Sequence, residues 1–260
     1  MRNKFFLSLL IIILIEYSVS AQSKYTFSQF GNETVEFIKQ PAKWEGSDWL
    51  KIGIVGAGTF LLIETADQPV RTAVLKDQSY YKSAPIEFGR MWGELYSPVL
   101  LFSGFALHSL ITDNIETRKI AYEIGQASIY AGAITYILKV AIGRSRPFMD
   151  EGTTSFHPFS SLFNDNLHSS PGGHNVAAFV LSTVLSRNVK PEWLKAVAYL
   201  PAVLTFVSRV YQDQHWSSDD FFGAALGYYI ATWVVDQHEN NKSLIEFSSV
   251  YPLSIRILLH

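Results

Sequence analysis

The sequence has no cysteine, so disulfides and thiolate metal sites are excluded and nothing in the chain depends on the redox state of its compartment. Basic runs are missing too. No stretch carries five consecutive Lys or Arg, and the formal net charge is −2, which leaves no broad positive field to hold a nucleic acid. The chain has no internal repeat, no low-complexity segment, and neither a carboxylate cluster nor histidines paired at metal-ligand spacing, so metal-independent chemistry and no cofactor are expected. What is present is apolar bulk. With 260 residues, 48% of them hydrophobic, the chain can fill one large domain or two small ones.

The N-terminus reads MRNKFFLSLLIIILIEYSVSA, with Arg2 and Lys4 ahead of an apolar run from Phe5 to Ile15 and with Val19 and Ala21 at the −3 and −1 positions of a cleavage site. This is the pattern of a secretory leader over residues 1–21. Glu16 cuts the run well short of the ~20 residues that a bilayer span needs. A mixed, aromatic arm is expected over 22–48, then six apolar stretches at 49–63, 98–111, 120–142, 176–185, 193–210 and 221–235. Gly and Ala are frequent in them and β-branched residues do not alternate with polar ones, which predicts helices. The expected fold is all-α, a six-helix bundle over 49–236 with a tail at 237–260 that the pattern does not assign.

Most of these stretches are shorter than a usual membrane span, and the third carries Glu123, Gln126 and Lys139. If the leader is removed, three spans would place Lys139 and Arg146 on the cytoplasmic side. Arg118, Lys119, Arg187, Lys190 and Lys195 lie in the opposite connections, and the positive-inside rule points the other way. Two arrangements stay open: one of the first two stretches is re-entrant or peripheral, or the domain is a soluble periplasmic bundle. Membrane association is the favoured expectation, with the site facing the periplasm at the cell envelope.

Three short segments carry the chemistry: Lys139 to Pro147 (KVAIGRSRP), Pro171 to His174 (PGGH) and Ser208 to Asp219 (SRVYQDQHWSSD). Each abuts an apolar stretch, so helix ends would aim the polar groups into one space. Lys139 and Arg146 are seven residues apart, nearly two turns, and on a continued helix they share a face until Pro147 ends it. Favourable placement of cations at a helix C-terminus is the bland account of that pair. In PGGH, two glycines before a helix start expose backbone N–H groups, as anion sites do. His215 and Asp219 are four apart, within reach across one helical turn, although capping alone would explain the aspartate.

In this order and spacing the segments resemble the three signature motifs of the type 2 phosphatidic acid phosphatase and vanadium haloperoxidase superfamily, K-x6-R-P, P-S-G-H and S-R-x5-H-x3-D. The match covers 139–219. The resemblance implies that His215 attacks phosphorus to form a phosphohistidine while Asp219 holds its tautomer. It further implies that Lys139, Arg146 and Arg209 bind the phosphoryl oxygens with the backbone of Gly172 and Gly173, and that His174 protonates the leaving alkoxide and then activates water. The implied function is a metal-independent phosphatase for a phosphomonoester or diphosphate, a small molecule or a lipid.

One position departs from the pattern, because Gly172 stands where the motif has serine. A phosphate donor is thereby lost, and Ser169 or Ser170 is a candidate replacement. The alternatives are a haloperoxidase that holds vanadate through His215, and a weakened protein that binds phosphate without turning it over. Residues 80–96 and 149–171 are expected to line the substrate pocket, and His108, His157, His168 and His238 are expected at the surface or in the core.

Overall fold

The computed structural model describes residues 24–160 and 162–250, the side chains of 240–250 excepted. The expected leader lies outside the described residues, as does the end of the tail. The chain divides into two compact units after Trp44. In the first, α1 (Phe27–Lys43) replaces the irregular arm expected there. Thr26 caps it by accepting from the Gln29 N–H at 3.1 Å, and Lys39 and Lys43 both pair with Glu36. Phe27, Phe30, Phe37 and Ile38 recur at helical spacing and give the segment one apolar face, a period that its mixed, aromatic composition masks, and the local pairs add to it.

The second unit contains α2 (Gly46–Thr65), α3 (Asp67–Leu75), α4 (Ala84–Trp92), α5 (Tyr96–Thr112), α6 (Ile115–Ile142), α7 (Gly173–Asn188), α8 (Glu192–Val197), α9 (Leu200–Tyr211) and α10 (Ser217–Val250). No strand occurs among the described residues, so the fold is all-α. Every expected stretch is helical, but the fifth is broken into α8 and α9, and α3 and α4 are additional. The unassigned tail begins as a continuation of α10.

Helices α6, α7 and α10 form the centre, with α9 against α4 and α7 and with α5 along α6. Ile124, Ala127 and Ala131 of α6, Ala178, Val180, Leu181 and Val184 of α7 and Ala231, Val234 and Val235 of α10 are buried in their shared core. Each fully buried Val, Leu or Ile there contributes about 1.5–3 kcal/mol. Helices α7 and α10 approach backbone to backbone. A Cβ on Gly223 would stand 2.4 Å from the Gly172 carbonyl oxygen, and one on Gly227 would stand 2.4 Å from that of Val176.

Away from the motif residues, Glu123 is buried between His238, whose Nδ1 lies 3.1 Å away, the Asn188 amide at 2.6 Å and Lys119 at 3.6 Å. His238 is therefore a partnered core residue, while His157 is half exposed and lies 3.1 Å from Glu151. Two segments, Gly46–Thr65 and Glu192–Tyr211, are long and apolar enough to cross a membrane, with mean hydropathy 1.2 and 1.3. The second expected stretch belongs to the pair α4 and α5, which is bent by 68°. That bend is the shape of a broken span or a re-entrant element.

Candidate active site

The first motif leaves its helix earlier than its spacing suggests. Helix α6 stops at Ile142 because Gly143 takes the left-handed conformation, φ 62°, and its N–H returns to the Lys139 carbonyl. A Cβ at Gly143 would collide with the His157 carbonyl, so only glycine permits this exit. Arg146 therefore reaches the site from the following loop and not from a continued helix. Its Nε and Nη2 donate to the Asp165 carbonyl and carboxylate at 2.9 and 2.8 Å, and its Nη1 donates to the Gln214 carbonyl at 3.2 Å.

Lys139, Arg146, Gly173, His174 and His215 line one cavity of about 500 Å³. Its other walls include Gly93, Glu94 and Leu95 from the bend between α4 and α5, Asp165, and the small residues Ser128, Ala131 and Gly132 of α6. Both segments expected to line the pocket contribute, and α6 adds a wall the sequence did not suggest. The Lys139 ammonium lies against the His168 carbonyl. Burial, helped by nearby Arg146, pushes its pKa down to about 8, which still leaves it cationic at neutral pH.

The two imidazole rings lie 6.1 Å apart, centre to centre. Burial holds His215 well below the ordinary histidine range, with Arg146 and Lys139 adding to the effect, so its ring is neutral. His174 is pushed down to about 4, mainly by burial and then by Arg209, while Glu94 opposes the shift. Arg209 Nη1 faces His174 Nε2 at 3.3 Å and Glu94 Oε1 lies 3.4 Å from the same nitrogen. Arg209 is buried behind His174 rather than on the cavity wall, and its Nη2 donates to Gln212.

Asp219 and His215 come together through an intermediary. The Ser169 hydroxyl donates to Asp219 Oδ2 at 2.5 Å and lies 3.5 Å from His215 Nδ1. Ser169 is therefore engaged between the two motif residues, and this side of His215 faces away from the cavity. The other Asp219 oxygen accepts from Arg144 Nη1 at 2.6 Å, and the Trp216 N–H donates to Oδ2 at 3.3 Å. Arg144, fully buried, also donates to Asp67 Oδ2 at 2.8 Å and to Ser218 Oγ at 2.7 Å, and it stacks over Trp216. Asp67 accepts from the Ser218 N–H and hydroxyl at 2.9 and 2.6 Å, which ties the start of α3 to the start of α10.

Gly172 plays a different part from the one its motif position implies. Its N–H donates to the Asp219 carbonyl at 2.8 Å, so it is not offered to the cavity. Gly173 does line the cavity, at the first turn of α7. Arg144, Asp67 and Glu94 were not singled out by spacing; Ser169 was named as a replacement phosphate donor, and its hydroxyl is instead given to Asp219. Arg144 gave one signal, as a third cation in nine residues with no anion assigned to it. Among the described residues no group of three His, Asp or Glu side chains has the arrangement of a metal site.

Fold and site together define an all-α protein whose helix ends gather two neutral imidazoles and buried cations at a cavity of about 500 Å³. Residues 122–243, a little under half of the chain, match the model of the PAP2 superfamily, and this match together with the relatives below supports the type 2 phosphatidic acid phosphatase superfamily for this chain. Three relatives carry the name lipid A 1-phosphatase. That of Rhizobium etli is 29% identical over 199 residues, 72% of this chain and 82% of the relative. That of Rhizobium johnstonii is 31% identical over 153 residues, 54% and 59% of the two chains. That of Porphyromonas gingivalis is 30% identical over 103 residues, 38% of this chain and only 20% of the relative. No solved structure gives a significant match.

Proposed function

We propose that this chain is a membrane-associated lipid phosphatase, independent of metal, that works through a phosphohistidine on His215. The carrying observation is the meeting of Lys139, Arg146, Gly173, His174 and His215 around one cavity. His215 Nδ1 faces Ser169, so Nε2 is the nitrogen free to attack phosphorus. In the first step the Nε2 lone pair forms the N–P bond, the P–O bond to the lipid breaks, and the alkoxide takes a proton from His174. In the second, water gives a proton to His174 as its oxygen attacks phosphorus, the N–P bond breaks, and phosphate leaves.

Lys139 and Arg146 offset the charge that gathers on the phosphoryl oxygens, an effect strongest in a buried site. A bound dianion also raises the affinity of His174 for the proton it must donate, which the free protein holds weakly. A second, apolar groove supports a lipid substrate. It is lined by Val99, Phe102, Ile124 and Ile129 and shares Leu95, Pro98, Ser128 and Gly132 with the catalytic cavity. An acyl chain lying along α5 and α6 would bring its head group to His215. The relatives make lipid A the first substrate to test. Export and a periplasm-facing site belong to this reading through the leader-like N-terminus.

The test is phosphate release by the full chain in detergent and EDTA, on an aryl phosphate, a phosphatidate, a polyprenyl diphosphate and lipid A, beside His215→Ala. Turnover in EDTA that the variant loses is expected. Abolition by EDTA, or turnover that survives in His215→Ala, would overturn the mechanism. Peroxide-dependent halide oxidation by vanadate-loaded protein would move the chain to the haloperoxidase reading.

A further inference from the structure

The space beside Gly172 is already filled. A Cβ at this position would stand 2.3 Å from Asp220 Oδ1 and 3.2 Å from both the Asp219 carbonyl oxygen and Asp220 Cα. No side chain, serine included, fits there unless Asp220 moves. The backbone cannot yield instead, because the Gly172 carbonyl is pressed against Gly223 of α10 and the Gly172 N–H is bonded to Asp219.

Asp220 itself is unusual. It is fully buried in the first turn of α10, and neither carboxyl oxygen has a hydrogen bond of normal geometry among the described residues. The groups facing it are Asn175 from α7, Arg209 from α9, Lys139 from α6 and its neighbour Asp219. Asn175 is likewise fully buried and engages the Asp220 carboxyl by its side chain, though not at normal hydrogen-bond geometry, and Arg209 Nε is buried with no acceptor of normal geometry. Loosely matched buried polar groups thus gather beside Gly172. Burial, reinforced by the adjacent Asp219, raises the Asp220 carboxyl far above the usual carboxylate range, so the group is neutral there. A neutral acid can both donate and accept, which suits a place between an amide and a guanidinium.

We propose that Asp220 is a positioning residue of the phosphate site, seated where a side chain at 172 would lie, and that it aligns the first turn of α7 and Arg209. On this view Gly172 and Asp220 are a matched pair, and glycine in the second motif is a fitted exchange rather than a lost donor. The role rests on the phosphatase reading, but the pairing itself rests only on packing.

Four proteins test it: the parent, Gly172→Ser, Asp220→Ala and the double variant, each measured for kcat and KM in EDTA, for inorganic phosphate binding and for thermal midpoint. Gly172→Ser alone should lower kcat at least tenfold, since displacements on the order of 1 Å in a site cost ~10²-fold. Asp220→Ala alone should also lose at least tenfold, and the double variant should recover at least tenfold over either single. Gain of activity in Gly172→Ser, or strictly additive losses, would overturn the proposal. Recovery of the midpoint without recovery of kcat or phosphate binding would reduce the pair to packing and overturn the positioning role. If the parent turns over no substrate, the phosphatase reading fails separately, and non-additive phosphate affinities still decide for or against the pair.

Discussion

Removing the Ser169 hydroxyl should slow catalysis without emptying the site. The oxygen lies 2.5 Å from Asp219 Oδ2 and 3.5 Å from His215 Nδ1, so among the described residues it bridges carboxylate and ring. On the proposed mechanism the His215 ring becomes cationic as it attacks phosphorus, and the Nδ1–H then needs an acceptor whose polarity is backed by Asp219. A hydrogen bond to a charged group is worth about 1.5–3 kcal/mol net. The 3.5 Å separation argues for the lower half of that range, so Ser169→Ala should reduce kcat roughly ten- to fiftyfold, given tenfold for every ~1.36 kcal/mol. KM should change little, because Lys139 and Arg146 are untouched. Rapid-quench measurement of the phosphohistidine should show slower formation. Because Ser169 acts through Asp219, the double variant with Asp219→Asn should be no worse than Asp219→Asn alone. A kcat within twofold of the parent, or multiplicative losses in the double variant, would refute the bridge and imply direct contact between Asp219 and His215 during turnover.

Among the described residues Arg144 is the cation in contact with the fully buried pair Asp67 and Asp219, so Arg144→Gln would strand two carboxylates and cost about 3–5 kcal/mol. That corresponds to a fall in thermal midpoint on the order of 10 °C; an unchanged midpoint would contradict the network, and Asp67→Asn added to the variant should restore part of the loss. The pH dependence of stability has a definite sign. His174 binds its proton near pH 4 when folded and near ~6.5 when unfolded. The unfolded chain therefore holds more protons across that window. Stability is complete above the unfolded value and falls as the pH drops toward the folded one. The midpoint should decline on acidification between these values, and His174→Gln should flatten the decline but not abolish it, since His215 shifts in the same direction. An identical slope in the variant would refute the assignment.

What the sequence made legible were the groups bound to fixed local spacing. Lys139, His174, Arg209, His215 and Asp219 each sit at or near a helix end, where neighbouring residues announce the geometry. Helices α2, α5, α6 and α10 were visible for a related reason, since their apolar runs are long. The contacts between distant segments were not visible. Asp67 reads as an ordinary acid in a first helical turn, and only folding brings it to Arg144, 77 positions away. Ser169 and Asp219 are 50 apart, and Gly172 meets Asp220 across two helices. Helix α1 was missed although Phe27, Phe30, Phe37 and Ile38 recur at helical spacing, because the reading followed long apolar runs, and the early exit at Gly143 because a backbone collision determines it.

The glycines of α10 carry one more consequence. Gly223 and Gly227 set main chain on main chain beneath the phosphate site, and a surface made of backbone has no side chains to exchange. Side-chain change is left to the cavity wall, in the bend at Gly93 to Leu95 and along the small residues of α6. A substitution there would reshape the cavity without unseating the two helices.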